Sequence, residues 1–248
     1  MSDNEYKRHL DSLFMISSLH KDMLNKFVFE LCLQDKGDEY VSIICKSRDS
    51  VIYRIESINW HMVSMCMMRN KCDEQLCSGK DEWRIVNDSM SIYYMFDNVI
   101  FNLVSLYDYY STFISLYFFG PSKGALKWNS LVKSAYKNKI SNYLIADDII
   151  EHDRMWTSRL QDFRASVIHH YFDIGRQGWS WSAKNGCSPV SSLLLTIPKK
   201  MCKKLGFQSE QGDYDNFDLN YGAIEVVTRS LSWFRMMTSK IIDSHPQA

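Results

Sequence analysis

Chain breakers are scarce in this sequence, with ten glycines and four prolines in 248 residues. Proline removes a backbone donor and glycine raises the entropy cost of order, so a chain poor in both reads as long helices. Net charge is missing too. Lys plus Arg and Asp plus Glu stand at 29 each, which excludes a uniformly basic coat for nucleic acid. No secretory leader is legible in the polar opening MSDNEYKRHL. The seven cysteines are an odd count and read as free thiols in a reducing cytoplasm. Cys66, Cys72 and Cys77 lack a second CxxC pair, so no metal is expected. GxGxxG, P-loop, HExxH and GxSxG patterns do not occur, and no cofactor is expected.

What is present is a core. Hydrophobic residues make up 46% of the chain and aromatics 14%, enough for one large domain or a domain with a subdomain. The stretch VIFNLVSLYDYYSTFISLYFF, residues 99 to 119, has the length of a membrane span. Asn102 and Asp108 fall inside it, and a carboxylate at a bilayer centre costs about 3 kcal/mol. It reads as a buried helix, with no membrane partner.

Apolar spacing at Leu10, Leu13, Phe14, Ser17, Met23 or Leu24, Phe27 and Leu31 predicts a first helix over 3 to 34. DKGDE, 35 to 39, is a break. YVSIIC, 40 to 45, is a short strand or the start of the next helix. Residues 50 to 69 read as a helix with Ile52, Ile55, Ile58 or Asn59, and Met62 on one side. The polar run NKCDEQLCSGKDEW, 70 to 83, reads as an exposed loop. A long helix from about Val86 to Phe119 stops at Gly120-Pro121. A short helix follows at 125 to 136, then a second long one from about Asn142 to Phe172 or Asp173. Residues 174 to 192 are turn-rich, 191 to 198 read as a short strand or a buried turn, and 218 to 242 as the last helix. The expected fold is an all-α bundle with two long central helices and a short irregular or β-containing insert near 174 to 216. Residues 1 to 80 form an N-terminal helical segment and 81 to 248 the bundle proper.

The densest chemistry lies in DFRASVIHHYFDIGRQGWSW. Arg164 offers a planar donor fork suited to phosphate, and His169 and His170 titrate near neutrality. Such a set serves RNA cleavage by 2′-OH attack, where one group moves protons and another neutralises the phosphorane. Arg164 and His169 stand about 140° apart around a helix axis, a gap that the long arginine side chain, a bend where the helix ends near 170 to 173, or a second subunit's own pair across a two-fold axis would close. Asp162 and Ser166 share a face with His169 and would orient it. Asp108, inside an apolar helix, needs a partner, either an arginine or histidine of this group or a lysine. Lys123, Lys127, Lys133, Lys137 and Lys139 run without an acid, and KKMCKK covers 199 to 204. These are solvated faces or phosphate contacts. Trp179 and Trp181 either stack bases or plug the end of the bundle. The methionine-rich run 62 to 69 suits core or interface packing.

Arg164-Ala-Ser-Val-Ile-His169 resembles the R-x4-6-H motif of HEPN domains, the helical family named for higher eukaryotes and prokaryotes nucleotide-binding. The order of an aromatic helix (VIFNLVSLYDYYSTF), a lysine-rich helix with a tryptophan (KWNSLVKSAY) and a helix ending LQDFRASVIHH is similar too, over about residues 86 to 173. The resemblance implies a homodimeric bundle in which Arg164 and His169, or His170, form a metal-independent ribonuclease site leaving 2′,3′-cyclic phosphates. It implies a toxin or phage-defence setting with an antitoxin or defence partner. Ala165 stands where active members often carry a polar residue, which also admits a catalytically silent module that binds RNA or a protein.

Overall fold

The structure, a computed structural model, describes residues 3–33, 37–78, 82–120, 126–169, 177–182, 190–207 and 217–244. It is an all-α bundle with a single β-hairpin among the described residues. The helices are α1 (Asp3–Cys32), α2 (Asp38–Cys77), α3 (Glu82–Phe119), α4 (Trp128–Tyr136), α5 (Tyr143–His152), α6 (Ser158–His169), α7 (Lys199–Leu205) and α8 (Leu219–Asp243). A π-helical segment, Asp153–Thr157, joins α5 to α6. Strands β1 (Gln177–Ser182) and β2 (Val190–Leu195) pair antiparallel, with Trp179 opposite Leu193 and Trp181 opposite Ser191. The hairpin falls in the expected insert.

Several boundaries differ from the sequence reading. Residues 40 to 45 are helical, within α2. The polar run from 70 is not a loop up to Cys77, because α2 continues through it for a total of 40 residues. Its polar side chains have partners there: Lys71 pairs with Asp88 at 2.9 Å, and Asp73 accepts from the Leu193 amide at 2.6 Å. The long helices are therefore α2 and α3, which pack together through Arg54–Asn102 and Lys71–Asp88. The expected second long helix is α5, the π segment and α6 in succession.

Two compact units divide the chain. The first comprises Met1–Ser57, Asn102–Ser158 and Val227–Ala248. Its core takes Leu13, Leu24, Phe27 and Leu31 from α1, at the spacing of one helix face, with Met23 only half-buried. Tyr107, Tyr110 and Phe113 of α3, Trp128 of α4 and Trp233 and Phe234 of α8 complete it. Gly120 ends α3 in the left-handed conformation, at φ 67°, with its amide on the Leu116 carbonyl at 3.0 Å. That is the glycine stop read from the sequence. Asn142 caps α5 by accepting from the Leu144 and Ile145 amides.

The second unit comprises Ile58–Phe101 and Arg159–Val226. Arg69 of α2 holds both Asp218, at 2.7 Å, and the Leu193 carbonyl, at 2.9 Å. Together with Asp73 it satisfies both backbone groups of Leu193, so one face of α2 fixes β2. After β2, Thr196 bridges Asp218, and the Ile197 amide donates to the Phe217 carbonyl at 2.9 Å. This brings the first turn of α8 close to Ile197. A Cβ on Gly222 would stand 1.9 Å from the Ile197 Cδ1. Ile197 is buried, so it has little room to give. Gly222→Ala is expected to lower stability by about 1–2 kcal/mol, the overpacking cost exceeding the gain in helix propensity. Chemical denaturation of the two proteins reads the difference.

Candidate functional site

Helix α6 presents the arginine of the sequence motif. Phe163 is buried and packs edge-on against Phe96 of α3, with ring centroids 6.5 Å apart. This fixes the rotation of α6 and sets the next residue, Arg164, over Phe101, its guanidinium carbon 5.2 Å from the ring centroid. The contact is a cation–π stack, which uses the flat face of the guanidinium. The Nε of Arg164 is buried and has no hydrogen-bond partner, and among the described residues no carboxylate pairs with this side chain. Arg69, in the same unit, is by contrast fully engaged.

One turn on, Ser166 donates to the Asp162 carbonyl at 2.9 Å, and Lys204 Nζ lies 3.5 Å from the Ser166 Oγ. The basic helix α7 therefore meets α6 at Ser166. Lys199, Lys200, Lys203 and Lys204 are all exposed. Asp162 is exposed, as is Ala165. His169 closes α6; its ring, and the whole of His170, lie outside the described residues. Trp179 and Trp181 stand on β1, and their side chains also lie outside the described residues, as does Lys123.

Asp108 belongs to the first unit. Its carboxylate accepts from the Trp128 amide at 3.0 Å, so its partner is the start of α4. Lys127, which opens α4, has no capping side chain of its own, and Asp108 supplies the missing acceptor from α3. Lys127, Lys133, Lys137 and Lys139 are exposed around α4. The cysteines of the sequence series fall on α2, and among the described residues no three ligating side chains cluster as a metal site would require.

The sequence reading missed two kinds of group. The first is Asp97, one turn before Phe101 on α3. Burial pushes its carboxyl up to about 6, so it titrates close to neutrality, as acid–base groups at sites often do. The second is the pair of buried histidines in the first unit. His152 stacks on Trp233 at 4.2 Å and hydrogen-bonds Tyr107 at 2.7 Å. His20 lies 3.3 Å from the Thr238 hydroxyl. Both are enclosed by aromatic rings, and they serve the core.

Comparison with protein-family models, with curated proteins and with solved structures finds no match to this chain.

Two predictions follow from the charge states. Burial, aided by Arg235 and Arg229 respectively, lowers His20 to about 4 and His152 to about 3. An unfolded histidine takes its proton near 6.5. Stability from these rings is thus fully present above that pH and drains away as pH falls through 4 toward 3, by about 2–3 kcal/mol for each ring. Unfolding curves from pH 7 to 4 should show the loss, and His152→Gln should flatten it. Asp97 has the opposite sign. Its raised value is a cost above pH 6 that vanishes below 4. Asp97→Asn should stabilise the protein by about 1–2 kcal/mol at pH 7.5, after allowance for partial exposure, and by little at pH 4.

Proposed function

We propose that the protein binds RNA along α6 and α7 and cleaves it without a metal, in the manner of HEPN ribonucleases. The carrying observation is the state of Arg164: a guanidinium stacked on Phe101, without a carboxylate among the described residues, on a helix that Lys204 of α7 reaches at Ser166. An arginine held this way keeps its terminal Nη donors for an anion. Arg164 would grip the scissile phosphate and offset charge on the phosphorane. His169, with His170 as its alternate, would take the 2′-OH proton and return a proton to the departing 5′-oxygen, leaving a 2′,3′-cyclic phosphate. Lys200, Lys203 and Lys204 would hold the flanking backbone, and Lys127 and Lys133 would offer a basic face of their own on the first unit. A homodimer would place two such helix ends in one cleft, and a toxin or defence role with a protein partner follows the same resemblance.

Mixed RNA incubated with the protein in EDTA is the test. Cleavage is expected, with cyclic phosphate ends, and Arg164→Ala and His169→Ala should each reduce it by at least about 100-fold. An inert wild-type protein, or variants as active as wild type, would overturn the reading.

A second reading is a silent interaction module. It is favoured by Ala165 and by an exposed apolar stripe on α2, with Trp60 63% and Met67 67% exposed and Val63 between them. These three residues stand at i, i+3 and i+7 on one helix face, and a protein partner would cover them.

A further inference from the structure

Cys32, the last residue of α1, and Cys45, two turns into α2, place their sulfurs 3.9 Å apart. Both are half-buried, so a small reagent can reach them. Of the other described cysteines, Cys66, Cys72 and Cys77 lie along α2 and Cys202 is buried on α7. We propose that Cys32 and Cys45 form a reversible disulfide by exchange with a small-molecule disulfide, oxidised glutathione being the common kind, and so fasten the end of α1 to α2. The inference is independent of the RNA reading.

The geometry carries it. Bonding requires the sulfurs to close from 3.9 Å to about 2.0 Å, a move within reach of side-chain rotation at two half-exposed positions. The two residues are 13 apart in sequence, and the link would close a short loop. The roles of the sulfurs differ. Burial and the neighbouring Cys45 sulfur push the Cys32 thiol up, against a smaller opposing pull from Arg48. Cys32 keeps its proton longer and fits the resolving step.

In the first step the Cys45 thiolate attacks one sulfur of the glutathione disulfide, forming a mixed disulfide and expelling one glutathione thiolate. Cys32 then gives its proton to solvent and attacks the Cys45 sulfur, expelling the second glutathione thiolate. Overall, two protein thiols lose two electrons and two protons, and one disulfide is reduced to two glutathione thiols.

The test uses the full chain in chelator-containing buffers of graded reduced-to-oxidised glutathione ratio. Free thiols are alkylated under acid quench and the protein is digested without reductant. Trypsin cuts after Lys26, Lys36 and Lys46, so Cys32 and Cys45 fall on separate peptides, 27–36 and 37–46. The expected result is those two peptides joined, released by dithiothreitol, with the melting temperature of the oxidised form raised by about 5–10 °C. Cys32→Ser should stop at a glutathione adduct on Cys45. Native protein in which both residues remain alkylatable at the most oxidising ratio would overturn the proposal. So would either residue cross-linked to a different cysteine, or a joined peptide that forms only in denaturant.

Discussion

The first unit depends on one constraint: polar groups that α3 carries into an apolar interior must each find a partner on another segment. Removing such a group from water unpaired costs about 1–3 kcal/mol. From Asn102 onward α3 solves this repeatedly. Asn102 accepts from Arg54 of α2, and Tyr107 meets His152 of α5. Asp108 caps α4, and Tyr110 donates to the Phe234 carbonyl of α8 at 3.1 Å. Ser111 donates to the Leu126 carbonyl at 2.6 Å. Each bond fixes a different neighbour, so α3 sets register as well as burial. The same residues explain why a stretch of membrane-like length does not make a span. No helix among the described residues is long and apolar enough to cross a membrane.

The π segment follows from the same demand. Trp128 is fully buried, and its indole donates to Asp153 at 2.6 Å. Three residues later the Trp156 indole donates to Ser230 at 3.0 Å, and Ser158 donates to the Asp153 carbonyl at 2.8 Å. An unbroken α-helix would rotate Asp153 and Trp156 by about 100° per residue from α5. The widened turn adds one residue, and Asp153 and Trp156 both find their partners in the first unit. Burial raises the Asp153 carboxyl above its ordinary value, and the hydrogen bond from the Trp128 indole opposes part of that rise.

The helices were legible because glycine and proline are few and apolar stripes are regular. Leu13, Leu24, Phe27 and Leu31 are buried where the spacing puts them, and Gly120 stops α3. The run after residue 70 was misread for a physical reason. Lys71, Asp73 and Gln75 look solvated in sequence, yet their partners are Asp88 and Leu193, up to 120 residues away. Local composition carries no trace of such pairing. Asp108 is the same case: its need for a partner can be read, but that partner is a backbone amide 20 residues on, which no side-chain pattern marks. The Arg164 motif was legible as chemistry, and Lys204 beside Ser166 is the part that only folding supplies.

The contrast between Arg69 and Arg164 gives the proposed site its logic. Both stand on helices of one unit and both are partly buried. Arg69 spends its donors on a carboxylate and a carbonyl, the ordinary way to hold a guanidinium inside a fold. Arg164 is held instead by an aromatic face. A ring steadies the charge without neutralising it or occupying its edge, since the quadrupole attracts the cation through the flat face alone. The result is a fixed cation that no described carboxylate neutralises. A carboxylate would have made a tighter anchor and ended its capacity for an anion. A ring in place of an acid at this position suits the proposed anion site, where a phosphate would match the fork bidentately.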